Sequence, residues 1–131
     1  MKYSLNGKWL MSGTNLNTWI NANVPGSVYR DLLENKLIYD PFYRDNENEI
    51  KVLMEHDYFY RREFTLPKSF FKKQNYLVCK GLDTLATIII NGKMVAKNNN
   101  MHRTYRFEVT PYLQECNNTI EVIFNSPLKY I

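Results

Sequence analysis

The sequence lacks the features that mark most chemistries. No apolar run approaches the roughly 18–20 residues a membrane-spanning helix needs; the longest, 86–90, is interrupted by Thr87. The opening Met1-Lys2-Tyr3-Ser4-Leu5-Asn6-Gly7 has no apolar core, so no secretory signal is predicted and no membrane partner is expected. Cysteine is scarce: Cys79 and Cys116 cannot make a disulfide framework, and a reduced compartment is the expectation. Neither has a CxxC partner, and His56 and His102 stand far apart, so no metal site is predicted. Asp45-Asn46-Glu47-Asn48-Glu49 opens like a calcium loop. It then places Ile50 where the turn needs glycine and His56 where a bidentate glutamate belongs, and so reads as a solvated acidic loop. There is no glycine-rich phosphate loop and no nucleophile elbow, and no cofactor is expected. Asn117-Asn118-Thr119 fits a glycosylation sequon, a three-residue pattern that chance often supplies.

Charge does not single out a partner either. Seventeen Lys and Arg against thirteen Asp and Glu leave a net charge of +4. The two signs are interspersed, and the densest basic cluster is Lys68 with Lys72-Lys73 in a short connector. A phosphate-tracking surface gathers its cations on one face, and there is no recognition helix or RNA-recognition signature. Nucleic acid is not an expected partner.

What the sequence does have is the composition of one folded domain: 131 residues, 44% hydrophobic, 23% charged, with ten Tyr, seven Phe and two Trp. The second half reads as strands. Tyr58, Tyr60, Arg62, Phe64 and Leu66 alternate with Phe59, Arg61, Glu63 and Thr65 until Pro67. Residues 68–71 form a turn, and 75–80 a further strand. Residues 84–90 are β-branched and apolar on both faces, which predicts a strand buried on both sides. Asn91-Gly92 then signals a two-residue hairpin, because both residues tolerate positive φ. Strands follow at 93–96, at 104–109 with Tyr105, Phe107 and Val109 on one face, and around Ile120, Val122 and Phe124. In the first half, 9–11 is a short strand. Val28, Tyr29, Leu32 and Leu33 have helical spacing, with Ser27 as cap and Asn35 as stop. About twenty residues, 37–57, have no period, which is long for a purely structural connection. The pattern predicts a mostly-β domain, a sandwich, with one short helix near its start.

Two sets of residues invite a functional reading. Glu47, Glu49, Glu55 and Asp57 are carboxylates of the kind that run glycoside hydrolysis, but no apolar setting in the sequence raises the pKa of any of them. Trp19, Tyr39, Phe42 and Tyr43 lie in irregular segments, where planar rings can line a binding face; the aromatics of the strands are expected in the core.

A series of motifs then resembles one family. Leu5-Asn6-Gly7-Lys8-Trp9 and Val24-Pro25-Gly26-Ser27-Val28 resemble the opening of the β-mannosidases of glycoside hydrolase family 2. Leu37-Ile38-Tyr39-Asp40-Pro41-Phe42-Tyr43-Arg44-Asp45-Asn46-Glu47 is similar to their I-x-D-P-[FY]-Y-x-x-N-E loop. Asp57-Tyr58-Phe59-Tyr60-Arg61-Arg62-Glu63-Phe64 resembles D-W-x-Y-R-R-x-F, with Tyr58 for the commoner Trp. Gly81-Leu82-Asp83-Thr84-Leu85-Ala86, running to Ile90-Asn91-Gly92, is similar to G-L-D-T-x-A-x-[IV]-x-[LI]-N-G. Asn100-Met101-His102-Arg103-Thr104-Tyr105-Arg106-Phe107 resembles N-M-F-R-x-Y-x-F, with His102 for Phe, and Phe124-Asn125-Ser126-Pro127 closes the series.

The resemblance implies a jelly-roll, galactose-binding-like β-sandwich spanning 1–131, incomplete at its C-terminal end. In this family the domain precedes immunoglobulin-like domains and a catalytic TIM barrel. It implies a retaining exo-enzyme acting on terminal β-D-mannose, whose two catalytic glutamates lie beyond Ile131, so this stretch holds no catalytic residue. The expected partners are the barrel of the same polypeptide and, through it, a β-mannoside. Tyr43, Arg44 and Asn46 are the residues expected near the substrate mouth. An unfinished sandwich is also expected to dimerise through its open edge. The alternatives are a stand-alone carbohydrate-binding module, or the equivalent domain of a β-galactosidase or β-glucuronidase. Cytoplasmic location is expected if Met1 is the native start.

Overall fold

The computed structural model describes residues 2–26, 28–35, 55–80, 85–98 and 104–126. In chain order these form β1 (Gly7–Gly13), β2 (Ile20–Val24), α1 (Val28–Glu34), β3 (Tyr58–Phe64), β4 (Tyr76–Lys80), β5 (Leu85–Ile90), β6 (Lys93–Asn98), β7 (Thr104–Glu108) and β8 (Asn118–Asn125). Single 3₁₀ turns lie at Lys68–Lys72 and Thr110–Tyr112. One sheet has six strands in the order β2-β1-β3-β8-β5-β6, the other pairs β4 with β7, and every pairing is antiparallel. The expected mostly-β sandwich with one short helix is the architecture found.

The core follows from the period-two alternation. Met11, Tyr60, Val122 and Ile88 lie in one register row across four strands, all at most 8% exposed. Trp9, Ala22, Ala86, Ile90 and Ile120 extend the same face. From the smaller sheet, Leu77, Cys79 and Phe107 pack against it.

Several expectations need correction. β1 is longer than 9–11, and β2 was not anticipated at all: Asn21 and Asn23 are poor strand formers, yet Ile20, Ala22 and Val24 alternate inward and pair with β1. β5 is not buried on both faces. Ala86, Ile88 and Ile90 are buried, whereas Thr87 and Ile89 are half-exposed, because in a two-layer sandwich only one face of a sheet meets another layer. Asn91-Gly92 does close the β5–β6 hairpin, with φ of 50° and 80° and Ile90 opposite Lys93, as a primed turn requires.

Helix α1 ends at Asn35, whose backbone N–H donates to the Asp31 carbonyl at 3.2 Å and whose Nδ2 donates to the carbonyls of Asp31 (2.7 Å) and Asn21 (3.0 Å). The expected cap, Ser27, lies outside the described residues. Before β1, the Leu5 carbonyl accepts from both Trp9 Nε1 (2.6 Å) and the Arg62 guanidinium (2.6 Å), which fixes the entering segment to β3.

Candidate functional site

The expected substrate-mouth residues Tyr43, Arg44 and Asn46, together with Tyr39, Phe42, Asp45, Glu47, Glu49 and His102, lie outside the described residues. The remaining sequence candidates have defined places. Glu55 is exposed in a turn. Asp57 Oδ1 accepts the Ser126 N–H at 2.6 Å, so it joins the end of β8 to the start of β3. His56 Nδ1 lies 3.0 Å from Thr14 Oγ1, which also accepts the Asp57 N–H at 3.2 Å. These three residues act in joining strand ends. Among the described residues no three His, Cys, Asp or Glu side chains gather as metal ligands would.

Trp19 remains, and it lies on the outer face of the large sheet. Alternation directs Lys8 and Leu10 of β1, Asn21 of β2 and Arg61 and Glu63 of β3 to that face, away from the core. Register places Asn21, Leu10 and Arg61 side by side in one row, which continues through Glu121, Ile89 and Met94 across the sheet. Trp19 is 40% and Leu10 45% exposed. The Arg61 guanidinium sits 5.8 Å from the centroid of the Trp19 ring, within cation–π range. These side chains border an open depression of about 490 Å³. The arrangement suits contact with a partner surface; no charge on it is buried enough to serve as a general acid.

A buried, perturbed carboxylate lies outside the set of candidates read from the sequence. Asp31, on α1, is 1% exposed. Its Oδ2 accepts the Tyr60 hydroxyl at 2.6 Å and its Oδ1 accepts the Asn23 N–H at 3.1 Å. Burial holds its carboxyl above the ordinary 3.8 against the lowering effect of those two hydrogen bonds. Burial first, and then the Asp31 carboxylate, push the Tyr60 phenol far up. Both Asp31 oxygens are spent and water is excluded, so the pair clamps α1 to β2 and β3 and has nothing to offer a substrate. A carboxylate on the apolar stripe of Val28 and Leu32 was the available signal for it.

A second buried network secures the opposite end. Asn118, 0% exposed, accepts at Oδ1 from the Gln114 N–H (2.8 Å) and from Asn91 Nδ2 (2.9 Å), and donates to the Gln114 carbonyl (3.0 Å). It ties the hairpin turn to the start of β8. Cys79 is half-buried on the inner face of β4, and burial pushes its thiol up to about 11, so it is poorly nucleophilic.

Comparison with known proteins agrees with this architecture. Residues 9–131 match the family described as glycosyl hydrolase 2 galactose-binding domain-like. The chain is 35% identical over 129 residues to a β-mannosidase of Bos taurus, covering 97% of this chain and 14% of that protein. It superposes on the crystal structure of a β-D-mannosidase from Dictyoglomus thermophilum with a TM-score of 0.94 at 38% identity, covering 99% of this chain and 16% of that one. A β-D-glucuronidase from the same organism shares the fold alone: TM-score 0.68 at 18% identity, over 93% of this chain and 19% of its own. The chain belongs to the glycosyl hydrolase 2 galactose-binding-domain-like family and stands with its β-mannosidase members.

Proposed function

We propose, taking membership of this family as the premise, that the chain is the noncatalytic N-terminal domain of a retaining exo-β-mannosidase. The longer polypeptide would hydrolyse terminal β-D-mannose by a two-carboxylate, covalent-intermediate route, with both carboxylates on a barrel outside this sequence. The domain packs on that barrel and helps wall the substrate mouth, with Tyr43 offering a ring face and Arg44 and Asn46 offering hydrogen bonds to sugar hydroxyls.

The observation that carries this reading is the near-complete superposition on a β-mannosidase, at about twice the identity shared with the glucuronidase. Likeness of fold alone would not separate the two activities. A consistent feature is that Asp31 and Asp57 are both engaged in holding the sandwich together.

The test is to express the source polypeptide and, separately, this chain, and assay both on p-nitrophenyl β-D-mannoside. The polypeptide should release mannose with its β-configuration retained at first turnover, read by proton NMR, and this chain alone should release none. Activity on the β-glucuronide instead would reject the mannosidase reading. Tight binding of manno-oligosaccharides by the isolated chain would favour a stand-alone carbohydrate-binding module, a reading to which exposed Trp19 gives some support.

A further inference from the structure

The tripeptide Asn-Gly-Lys occurs twice, at 6–8 and at 91–93, and these are the only Asn-Gly steps in the sequence. An asparagine before glycine is the setting in which the next backbone nitrogen most readily attacks the side-chain amide, because glycine has no Cβ to obstruct the approach. Both glycines are open. Among the described residues a Cβ at Gly7 would meet only Arg62 Nη1, at 3.9 Å, and one at Gly92 would meet nothing within 4 Å. Local sequence and crowding are therefore matched, and what separates the two sites is how the fold holds each amide. Asn91 is half-buried and its amide is fully committed. Nδ2 donates to the Tyr112 carbonyl (2.7 Å) and to Asn118 Oδ1 (2.9 Å), and Oδ1 accepts the Thr119 N–H (2.9 Å). Asn6 is exposed, and its side-chain amide has no hydrogen-bond partner among the described residues. Only its backbone is held: the N–H donates to Ser4 Oγ (3.1 Å), and the carbonyl accepts from Arg62 Nη1 (3.0 Å).

We infer that Asn6 is a site of spontaneous deamidation to isoaspartate, with Arg62 directing the product, and that the buried network at Asn91 holds the second site out of the same reaction. The Gly7 nitrogen gives its proton to solvent base and bonds to Asn6 Cγ. The Cγ–Nδ2 bond breaks, and the amide nitrogen leaves as ammonia. Water then opens the succinimide. Cleavage of the new N–Cγ bond restores the ordinary chain with an aspartyl side chain. Cleavage between that nitrogen and the original main-chain carbonyl carbon reroutes the chain through Cγ and frees the carbonyl as a carboxylate. No electrons are transferred, and water is the only co-reactant. The oxygen of that carbonyl is the one Arg62 Nη1 already contacts, so the cation polarises it toward water and then pairs with the carboxylate formed. The same nitrogen donates to the Leu5 carbonyl at 2.6 Å, which anchors the guanidinium there. Asn91, by contrast, must give up three hydrogen bonds and the register of Ile90 with Lys93 before its Cγ can meet the Gly92 nitrogen.

Timed incubation of the chain in mildly alkaline buffer, native and in urea, followed by tryptic peptide mass spectrometry, tests the inference. The two sites fall in separate tryptic peptides, 3–8 and 81–93. Isoaspartate is scored by retention time and by methylation with isoaspartyl methyltransferase. In urea the matched tripeptides should react within about two-fold of each other, because little structure distinguishes them there. In the native chain Asn91 should lag Asn6 by about a hundred-fold, since each of its three hydrogen bonds lowers the open population several-fold. The ratio of isoaspartate to aspartate formed at Asn6 should be about two-fold or more higher in the native chain than in urea. Arg62→Gln should return that ratio to the urea value, with continued protection of Asn91 showing that the variant is folded, whereas Arg62→Lys should keep part of the bias. Equal native rates at the two sites, or a slower reaction at Asn6, overturns the inference. A product ratio that is the same in native chain and urea overturns the role of Arg62, whether or not its variants fold.

Discussion

Replacing Tyr60 with Phe removes one hydroxyl and little volume, so its cost measures the Asp31 clamp. The hydroxyl donates to Asp31 Oδ2 at 2.6 Å between residues 5% and 1% exposed. Its loss leaves a buried carboxylate oxygen without that donor, and the Asn23 N–H serves only the other oxygen. A hydrogen bond to a charged group contributes about 1.5–3 kcal/mol, so the expected loss is about 2 kcal/mol at pH 7. For 131 residues with an unfolding entropy of about 2.1 cal/mol/K each, that lowers Tm by about 7 °C. The pH dependence carries a definite sign. Because the folded state holds the Asp31 carboxyl above 3.8, it binds more protons than the unfolded chain across the interval above that value. Stability from this group is therefore greatest in acid, falls as pH rises through the interval, and is level beyond it. Below the interval the carboxyl is neutral, the lost bond is an uncharged one of about 1 kcal/mol, and the Tyr60→Phe penalty should shrink by about half. Urea unfolding followed through the fluorescence of buried Trp9 gives the penalty at each pH. A Tm change under about 2 °C at pH 7, or a penalty equal at pH 3 and pH 7, would refute the clamp.

Other expectations follow from single positions. Asn118→Ala deprives the Gln114 N–H and Asn91 Nδ2 of their shared acceptor, and should cost about 2–4 kcal/mol in urea unfolding. Gly13→Ala sets a Cβ 2.7 Å from Tyr58 Cδ1, whereas at Gly92 the space is open and only φ of +80° opposes a side chain. Thermal melts should show Gly13→Ala losing about 1–3 kcal/mol and Gly92→Ala about 1 kcal/mol. With its thiol near 11, Cys79 holds only about one part in a thousand as thiolate at pH 8. It should resist Ellman's reagent in the folded chain and react on unfolding, while exposed Cys116 reacts at once.

The strands were legible wherever alternation was strong and long. Tyr58, Tyr60 and Phe64 point inward in β3 as their spacing required, and Asn91-Gly92 marked its hairpin without help from tertiary structure. β2 was hidden because three inward residues separated by asparagines make too short a signal, and pairing with β1 overrides propensity there. The reading of β5 failed for a different reason: Ile89 reads as core by type, and only the sheet order shows that its face meets no second layer. At the site, Trp19 was visible as a ring in an irregular segment. Its association with Arg61 depends on register across β2, β1 and β3, which no local pattern encodes. The Asp31–Tyr60 pair joins residues 29 positions apart and was equally invisible.

The order β2-β1-β3-β8-β5-β6 places the strand at 118–125 in the middle of its sheet. It pairs with β3 from Asn118 to Phe124 on one side and with β5 on the other, while β3 and β5 are not neighbours. During synthesis, then, the ribosome delivers β1–β3 and the β5–β6 hairpin as two half-sheets with no common edge. They can be joined only once β8 has left the exit tunnel. Until that moment each half presents an unpaired strand, so the nascent chain passes through its most aggregation-prone state just before completion of the sheet.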